Sequence, residues 1–438
     1  MKICVAGLWH LGSVIAACLA EKKNYVTGLD SSAEIVQKLK TGKSPVFEPG
    51  LDQLLRRGIK NGYLKFTTSL SEGLQDADVI WVAYDTPITE TDEADVSQIK
   101  THILSLFPYL KNRCTVIISS QVPVGFCRMI EDQFHHDYSQ KKINFFYSPE
   151  NLRLGKALDA FQKPDRIVIG SRNDKDRRII ERFFKKLSPN LEWMSVESAE
   201  MTKHGINAFL ATSVSFINEL AVLCESTGAD AREVEKGLKS DSRIGPMAYL
   251  KPGSSFAGGT LARDVRFLTQ KSEMVDEPSH LLNSILKSNL HHQDWSKRKL
   301  LDHFKVIRGH TISILGLTYK SETDTLRRSW TIDLCRWLKK ENAHIQAYDP
   351  HIDCLPADLQ SVLTLQTNIL DAITNSDAII IGSDKPSFRE LSAGDFKHLR
   401  QCLVIDPNGF LSKNYALSTE SIKYCAVGFT LNKELFHP

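Results

Sequence analysis

Short apolar runs alternate with longer amphipathic stretches along most of the 438-residue chain. Near the N-terminus, Lys2–Ala6 and Tyr25–Leu29 are predicted strands, separated by a glycine turn and a helical stretch. Strands are predicted for other short apolar runs of the same kind, at 79–84, 115–119, 145–147, 166–170 and 312–317. Strands that alternate with helices in this way predict parallel βαβ units, so the expected fold class is α/β.

The second half of the chain repeats much of the pattern of the first half. Three pairs of similar segments occur in the same order: ICVAGL (3–8) and ISILGL (312–317), VTGLD (26–30) and IQAYD (345–349), ADVIWVAYDTP (77–87) and SDAIIIGSDKP (376–386). A shared strand composition could produce one such likeness, but three in order predict a true repeat. We therefore expect two Rossmann-like, doubly wound domains with parallel sheets.

One long stretch, Ala199–Gly228, predicts a helix between the two halves. Its apolar residues recur at spacings of three and four, so one broad face is expected to be buried. Lys203 and Asn207 interrupt this apolar surface four residues apart and therefore share a face. They are either the solvated edge of an amphipathic helix or a functional pair, and their spacing leaves both interpretations open.

The segment 265–305 also has a helical pattern and would complete a central helical domain. The expected domains are a Rossmann-like domain at 1–196, a central helical domain with one long helix at 197–305, and a second Rossmann-like domain at 306–438. A chain of this length is expected to form two or three domains.

Composition narrows the class of protein. The chain is 42% hydrophobic and 24% charged, as in soluble globular proteins, and a net charge of +3 gives no reason to expect nucleic acid as a partner. No apolar run approaches the roughly 20 residues that cross a membrane. The first twenty residues resemble a signal peptide, but Gly7, His10 and Gly12 favour a strand, a turn and a helix. Nine scattered cysteines without metal-ligand spacing favour reduced thiols in a cytoplasm and no metal site.

The first glycine turn fits a dinucleotide. The residues Gly7-Leu8-Trp9-His10-Leu11-Gly12 follow a predicted strand and begin a helix, and Asp30 lies 18 residues after Gly12. Glycines allow a close approach to pyrophosphate, while the acid accepts hydrogen bonds from ribose and disfavours a 2′-phosphate. NAD is therefore expected rather than NADP. Trp9 occupies the place of the middle glycine, so its side chain must point away from the cofactor or weaken its binding.

Three other segments carry candidate chemistry. Glu150 follows a predicted strand and either orients a water molecule or caps the next helix. The glycine-rich segment 253–264 can wrap closely around a ligand, and Asp264 at its end either acts there or caps a helix. Arg243 is a candidate contact for a phosphate or hydroxyl. The turn after Gly316 lacks the later glycines of a dinucleotide site and suits a mononucleotide or sugar phosphate, with Lys320 as the counter-charge.

Taken in order, these segments resemble the UDP-glucose 6-dehydrogenase and GDP-mannose 6-dehydrogenase family over nearly the whole chain. The matching segments are GLWHLG, GKSPVFEPGL, DTP, SSQVPVG, SPENLRLG, KPDRIVIG, AEMTKHGINAFLA, DSRIG, the glycine loop ending in RD, and GLTYK with TDTLRRS. Members of the family oxidise the C6 hydroxymethyl group of a nucleotide sugar to a carboxylate with two NAD, and they dimerise through the central helix. The resemblance implies NAD as cofactor, a nucleotide-diphosphate sugar (here a UDP-sugar) as substrate, a homodimer without nucleic acid or membrane, and a role in polysaccharide biosynthesis. The first domain would then bind NAD, the central one would dimerise, and the last would bind the nucleotide sugar.

The resemblance also implies roles for individual residues. Lys203 and Asn207 would stabilise oxyanion charge at C6, Asp264 would assist water and proton movement, and Glu150 would help thioester hydrolysis. Arg243 would reach the sugar across the dimer, and Lys320 would hold the substrate. The positions implied for the cofactor are Gly7, Leu8, Trp9, His10, Leu11, Gly12, Asp30, Asp85, Thr86, Pro87, Ser120, Gln121, Leu154 and Arg327. Those implied for the substrate are Glu150, Leu152, Arg153, Lys203, Asn207, Arg243, Tyr249, Phe256, Gly258, Tyr319 and Lys320.

Several positions depart from the family pattern. Aligned without a gap, the nucleophilic cysteine of the family falls on Thr260, whose hydroxyl is a poor replacement for a thiolate. Gln121 stands where the family has threonine, Leu154 where it has a second glutamate, and Asp85 where it has glycine. The arginine often present near the last strand has no counterpart in Asp406-Pro407-Asn408.

These departures leave the outcome of the reaction open. Without a nucleophilic cysteine the product is expected to be the C6 aldehyde or its hydrate, although a hydrate can still lose a second hydride. Cys127 could approach the crevice as a substitute, but an apolar helix start explains it more simply. Trp9 and Thr260 also motivate an alternative, a catalytically silent nucleotide-sugar-binding or regulatory homologue. A third interpretation keeps the enzyme class and moves the oxidation to another hydroxyl.

Overall fold

The fold is taken from a computed structural model, which describes residues 1–87, 95–150, 152, 154–256, 258–318, 324–326, 329–392, 394–396, 399, 401–411 and 422–430. The chain divides into two compact units, Met1–Ile206 (unit 1) and Asn207–Pro438 (unit 2). The division falls inside one helix. The three predicted domains, 1–196, 197–305 and 306–438, remain a prediction.

Unit 1 is built on one predominantly parallel sheet. Its strands are β1 (Lys2–Ala6), β2 (Tyr25–Leu29), β3 (Leu64–Thr67), β4 (Val79–Val82), β5 (Thr115–Ile118), β6 (Asn144–Tyr147), β7 (Ile167–Gly170) and β8 (Leu191–Met194). They are ordered β3-β2-β1-β4-β5-β6-β7-β8, and among these pairs β7 runs antiparallel to β6. The first six positions have the order of a dinucleotide-binding fold, which places a ligand crevice at the carboxyl ends of the strands where the order reverses between β1 and β4.

The helices of unit 1 cover both faces of this sheet. They are α1 (His10–Glu21), α2 (Ala33–Lys40), α3 (Leu51–Lys60), α4 (Leu70–Leu74), α5 (Val96–Leu106), α6 (Phe126–Asp137), α7 (Ala157–Gln162), α8 (Asp174–Lys185) and the first part of α9 (Val196–Thr227), with a 3₁₀ turn at Phe107–Tyr109. Alternation along β1 separates the two core layers, because Ile3 and Val5 join one buried cluster while Cys4 and Ala6 join the other. A sheet buried on both faces explains why its strands are almost wholly apolar.

The long predicted helix is observed as α9, although it begins at Val196, three residues before the predicted start. Ser195 sets this start, since its hydroxyl accepts a hydrogen bond from the amide of Ser198 at 3.2 Å. By length and composition α9 could cross a membrane. It nevertheless buries the polar side chains of Glu200, Lys203 and Asn207, which have hydrogen-bond partners, so we interpret it as a core helix.

Unit 2 combines helices with a second Rossmann-like sheet. Its strands are β9 (Thr311–Leu315), β10 (His344–Tyr348), β11 (Thr364–Leu365), β12 (Ala378–Ile381), β13 (Cys402–Ile405), β14 (Ile422–Ala426) and β15 (Phe429–Thr430), in the order β11-β10-β9-β12-β13-β14-β15. Its helices after α9 are α10 (Ala231–Ser240), α11 (Arg263–Met274), α12 (His280–Gln293), α13 (Trp295–Phe304), α14 (Trp330–Lys340), α15 (Ala357–Gln360), α16 (Ile369–Ile373) and α17 (Pro386–Arg389), and a π-helical turn precedes α11 at Gly258–Ala262. The predicted α/β class with two doubly wound sheets and a central helical region is therefore confirmed.

Candidate active site

The glycine fingerprint forms the tight turn that a dinucleotide site needs. Gly7 follows β1 with a φ of +90°, and a Cβ placed on Gly12 would lie 1.7 Å from the carbonyl oxygen of Gly7. Only glycine therefore fits at position 12. The amide of Leu8 donates to Asp30 Oδ2 at 2.7 Å, so the acid at the end of β2 is fixed against the turn. Leu11 is buried in the core beneath it.

The substituted position of the fingerprint, Trp9, has an exposed side chain. Trp9 occupies the N-cap of α1 and its side chain is 47% exposed, so the ring is not packed into the core of unit 1. The next residue, His10, forms a 2.8 Å hydrogen bond with the buried carboxylate of Glu48. Glu48 also accepts from the amides of Gly155 at 2.9 Å and Ala157 at 2.8 Å. It thereby joins the fingerprint turn to the loop that follows β6, a link that was not predicted from the sequence.

The other predicted cofactor positions in unit 1 follow β4, β5 and β6. Asp85, Thr86 and Pro87 follow β4, and the Thr86 hydroxyl donates to the carbonyl of Gln121 at 2.6 Å. Ser120, after β5, is 1% exposed, and its hydroxyl has no hydrogen-bond partner among the described residues. Leu154, in the loop after β6, is half-buried.

These residues fit the cofactor. A buried, unpaired hydroxyl such as that of Ser120 is costly unless a bound group satisfies it. The orphaned hydroxyl, the Cβ-free turn at Gly7 and Gly12 and the acid Asp30 all lie at the carboxyl end of the sheet in unit 1. This combination matches the NAD site expected from the fingerprint.

Lys203 is not a solvated edge residue of α9. Its ammonium donates to the backbone carbonyl of Glu150 at 2.5 Å and lies 3.9 Å from Glu150 Oε1, and the Lys203 side chain is 8% exposed. The Glu150 carboxylate also accepts from the amide of Leu152. Because α7 begins only at Ala157, Glu150 is not the cap of the next helix, and the capping interpretation is wrong. A buried cation and a carboxylate thus meet at the end of β6.

Two neighbouring polar residues on α9 fix the loop after β5. Glu200 is fully buried and accepts hydrogen bonds from the amides of Gly125 at 2.6 Å and Cys127 at 2.9 Å, which satisfies the N-terminus of α6. His204 is also buried, and its Nε2 donates to the carbonyl of Val122 at 2.9 Å. Neither of these contacts was predicted from the sequence. Polar residues at four-residue spacing on an apolar helix, Glu200 followed by His204, were the available signal.

In unit 2, Asn207 donates a hydrogen bond from Nδ2 to Oδ2 of Asp264, and both side chains are buried. Asp264 belongs to the first turn of α11, which follows the π-helical turn directly, and the N-cap residue is Ala262. The capping interpretation of Asp264 is therefore also wrong. Thr260 lies in the π-helical turn and is exposed.

The remaining predicted substrate positions have different surroundings. Phe256 is buried, Gly258 begins the π-helical turn, and Tyr249 is exposed. The guanidinium of Arg243 is exposed and pairs with Asp241 at 2.7 Å, so within one chain it contacts its own loop. The predicted site residues Arg153, Tyr319, Lys320 and Arg327 lie outside the described residues.

The glycine turn of unit 2 differs from that of unit 1 at its acid. Asp349 follows β10 and accepts from the amides of Leu317 at 2.8 Å and Thr318 at 3.0 Å. It also accepts from the amide of His351 at 3.0 Å, and the buried ammonium of Lys385 lies 3.3 Å from its Oδ1. A carboxylate has about four acceptor positions, so Asp349 has little capacity left for a ribose. This agrees with the expectation that the turn after Gly316 is not a dinucleotide site.

Cys127 does not provide a substitute nucleophile. It is buried at the start of α6, and burial raises the pKa of its thiol well above the ordinary value. A thiol in such surroundings stays protonated and unreactive. The simpler interpretation, an apolar helix start, is favoured.

Comparison with known proteins agrees with this geometry. Three models of the UDP-glucose/GDP-mannose dehydrogenase family match the chain: the NAD binding domain at residues 1–188, the central domain at 197–291 and the UDP binding domain at 313–413. The chain is 32% identical to the UDP-glucose 6-dehydrogenase YwqF of Bacillus subtilis over 431 residues, which cover 98% of both chains. It is 29% identical to a GDP-mannose 6-dehydrogenase of Pseudomonas putida, covering 97% of this chain and 100% of the relative.

A solved structure, a UDP-glucose dehydrogenase from the archaeon Pyrobaculum islandicum, superimposes with a TM-score of 0.88 at 25% identity and covers 98% of both chains. Sequence, fold and cofactor geometry lead to the same assignment. The chain is a member of the UDP-glucose/GDP-mannose dehydrogenase family and an NAD-dependent oxidoreductase.

Proposed function

We propose that the protein oxidises the C6 hydroxymethyl group of a UDP-sugar, with UDP-glucose as the first candidate, and that the reaction stops at the aldehyde or its hydrate. UDP is favoured because the family model that matches residues 313–413 is a UDP binding domain. The observation that carries the proposal is a buried ammonium, that of Lys203, and a buried amide, that of Asn207, four residues apart on α9. The ammonium donates to the backbone carbonyl of Glu150, and the amide donates to the carboxylate of Asp264. Such groups are costly to bury unless they serve a ligand or a structure-specific bond.

The chain itself would supply electrostatics and proton handling. When bound, NAD accepts the hydride that leaves the sugar carbon. Lys203 and Asn207 would stabilise the oxygen of the reacting alcohol as negative charge develops on it. Asp264 would hold the amide of Asn207 in its donating orientation and take part in moving the hydroxyl proton. Glu150 would orient a water molecule near the carbonyl product.

The second oxidation would lack its nucleophile. A cysteine thiolate can attack the aldehyde and hold it for a second hydride transfer. Thr260 is a far weaker acid than a thiol, and an exposed threonine hydroxyl keeps its proton at neutral pH. Oxidation of the alcohol removes one hydride and one proton, and the aldehyde then adds water reversibly. We therefore expect one NADH for each sugar consumed.

We further propose a homodimer formed through α9. Phe209, Phe216 and Leu223 are spaced by seven residues and are 68%, 50% and 60% exposed, so they form an apolar stripe along this helix. Apolar side chains repeated at this spacing favour packing against another helix. A second copy of the same helix provides a matching stripe across a two-fold axis. In such a dimer the exposed Arg243 would extend toward the site of the partner.

A cytoplasmic location is the simplest proposal, because all nine cysteines are free thiols. Proteins of oxidising compartments more often pair their cysteines.

The proposal keeps the three-domain division expected from the sequence. The first domain would bind NAD, the central domain would form the dimer, and the last domain would bind the nucleotide sugar.

The test is a screen of UDP-, GDP- and dTDP-sugars with NAD, read by NADH formation, mass analysis of the product and capture with a carbonyl trap. The expected result is oxidation of a UDP-sugar with a ratio of one NADH per sugar and a trappable product. A ratio of two without trappable aldehyde would reject the single-step proposal. Tight sugar-nucleotide binding without NADH from any member of the panel would instead favour the silent homologue.

A further inference from the structure

Four polar side chains outside the predicted site form hydrogen bonds with the backbone of residues 253–256, which we name the sugar-loop stem. In sequence the stem ends two positions before Gly258, the first residue of the π-helical turn that carries Thr260. All four side chains belong to unit 2: Asn218 on α9, Asn289 and His292 on α12, and Asn408 after β13. This density of side-chain-to-backbone bonds on so short a segment is unusual, since most backbone groups pair with backbone.

Asn289 binds Phe256 through both of its amide atoms. Its Oδ1 accepts from the amide of Phe256 at 2.9 Å, and its Nδ2 donates to the carbonyl of the same residue at 2.8 Å. Both residues are buried. The side-chain amide thus replaces the paired backbone bonds that a neighbouring strand would provide, and it fixes both φ and ψ of Phe256.

His292 and Asn218 fix the first residue of the stem. The Nε2 of His292 is 2.8 Å from the carbonyl oxygen of Gly253, and because a carbonyl only accepts, Nε2 carries the proton. Burial lowers the pKa of His292 below its ordinary value, which favours the neutral ring. Asn218 Oδ1 accepts from the amide of Gly253 at 3.0 Å. Both backbone groups of Gly253 are therefore satisfied by side chains.

Asn408 fixes the second residue of the stem. Its Oδ1 accepts from the amide of Ser254 at 2.9 Å, and its Nδ2 donates to the Ser254 hydroxyl at 2.8 Å. A Cβ on Gly253 would lie 2.4 Å from Asn408 Oδ1, so glycine is required for this approach. Asn408 in turn sits in a turn held by Asp406, whose Oδ2 accepts from the hydroxyl of Tyr424 at 2.8 Å.

We propose that Asn289, His292 and Asn408 are positioning residues that hold the sugar-loop stem in the conformation that binds the sugar of the substrate. A segment with two serines and a glycine gains little order from its own side chains, and fixing its backbone is entropically costly. Bonds already made in the free protein would remove that cost from the binding step. This inference rests on the proposed function and adds the residues on which sugar affinity depends.

The first test uses His292 and its exposed neighbour on α12, His291. His292→Leu removes the donor to Gly253, whereas His292→Gln can place an amide N–H near the position of Nε2. UDP-glucose affinity and NAD affinity are each measured by calorimetry on the full chain, with KM and kcat where turnover occurs. We expect His292→Leu to weaken UDP-glucose binding roughly five- to tenfold, the loss of one buried hydrogen bond, with NAD affinity unchanged within about twofold. His292→Gln should restore most of the affinity, and His291→Leu should have no effect.

A second pair of variants tests the same inference at Asn289, in case a histidine variant misfolds. Asn289→Ala removes two bonds to Phe256, and Asn283→Ala changes an exposed asparagine on the same helix. Loss of UDP-glucose affinity in Asn289→Ala alone, with NAD affinity preserved, supports the inference. Equal losses for both ligands, or a His292→Gln variant no better than His292→Leu, would overturn it. Wild-type protein that binds UDP-glucose without oxidising it would reject the proposed reaction and leave these binding results decisive for the stem.

Discussion

The amide of Asn207 on α9 donates a hydrogen bond to the carboxylate of Asp264 on α11, and Asp264 has no exposed surface. The bond joins the first residue of unit 2 to the first turn of a helix 57 residues further along the chain. An amide is the side chain of this shape that can donate to a buried carboxylate without adding charge. The pair therefore has a chemical requirement that can be tested by a substitution of nearly the same size.

Asn207→Asp should inactivate the enzyme at neutral pH. Two carboxylates at hydrogen-bond distance cannot both ionise in a buried site, so the pair must hold a proton or separate. We expect kcat to fall by about 10²-fold or more, the cost of losing one oxyanion donor, with a lower melting temperature that partly recovers as the pH is lowered. The measurements are kcat and thermal melting from pH 6 to pH 9. Asn283→Asp, at an exposed position on α12, is the control, and an Asn207→Asp enzyme as active as that control would contradict the assigned role.

Lys203→Met should retain the fold and lose the reaction. The apolar side chain of methionine fills similar space, but the buried ammonium that donates to the Glu150 carbonyl is lost. We expect a decrease in kcat on the order of 10²- to 10³-fold, with NAD affinity changed little. Lys175→Met, on the exposed surface of α8, is the matched control. A Lys203→Met enzyme that raises only the KM for the sugar would show that the ammonium binds the substrate and does not act in the chemical step.

Much of the fold follows from local pattern. The strands Lys2–Ala6 and Tyr25–Leu29 are observed with the predicted bounds, because the short run after each exposed first residue is almost wholly apolar or small and is largely buried. The prediction that Lys203 and Asn207 share a face required only helical periodicity. Their burial could not be predicted from that periodicity, since their partners Glu150 and Asp264 lie 53 and 57 residues away.

The hydrogen-bond partners of several acidic side chains could not be predicted, because those partners are distant in sequence. Glu48 binds the amide of Ala157, 109 residues away, and Glu200 binds the amide of Cys127, 73 residues away. Glu48 has no local feature that distinguishes it from a surface carboxylate, and the only local signal for Glu200 is its four-residue spacing from His204 on an apolar helix. Glu150 and Asp264 likewise allowed helix capping as an alternative, and only the observed starts of α7 and α11 remove it. The local sequence pattern thus predicts helices and strands, while the hydrogen-bond partners of buried polar groups become known only from the folded structure.

Thr260→Cys should add the second oxidation. The position is exposed in the π-helical turn, and a cysteine thiol ionises far more readily than a threonine hydroxyl, so a thiolate nucleophile becomes available there. We expect the ratio of NADH to sugar to rise from about one toward two, the values for one and two hydride transfers, with a trappable aldehyde replaced by carboxylate. Thr260→Ser, which keeps a hydroxyl, is the control and should leave the ratio unchanged. An unchanged ratio in both variants would mean that Thr260 does not occupy the position of the nucleophile.

Phe216→Glu should dissociate the proposed dimer. Phe216 lies in the middle of the apolar stripe on α9, between Phe209 and Leu223, and a carboxylate there would have to be buried against the partner helix. We expect a dimer for the wild type and a monomer for the variant by light scattering. The melting temperature of the monomeric variant should be only modestly lower than that of the wild type. Leu370→Glu, at a 54% exposed leucine on α16, is the control and should remain dimeric. A wild-type monomer would reject the interface itself.

His292 should make the stability of the protein depend on pH between neutral and mildly acidic conditions. Burial lowers its pKa in the folded chain, while in the unfolded chain the value is near the ordinary 6.5. Below about pH 6.5 the unfolded state therefore binds the proton first, and the free energy of unfolding decreases as the pH falls toward the lowered folded-state pKa. The slope for one proton is at most about 1.4 kcal/mol per pH unit.

His292→Gln can keep the donor to Gly253 and removes the titration, and His291→Gln on the same helix serves as the control. Urea unfolding from pH 7.5 to pH 5.5 should show the wild type losing stability relative to His292→Gln, and parallel curves for the two proteins would contradict the buried neutral ring.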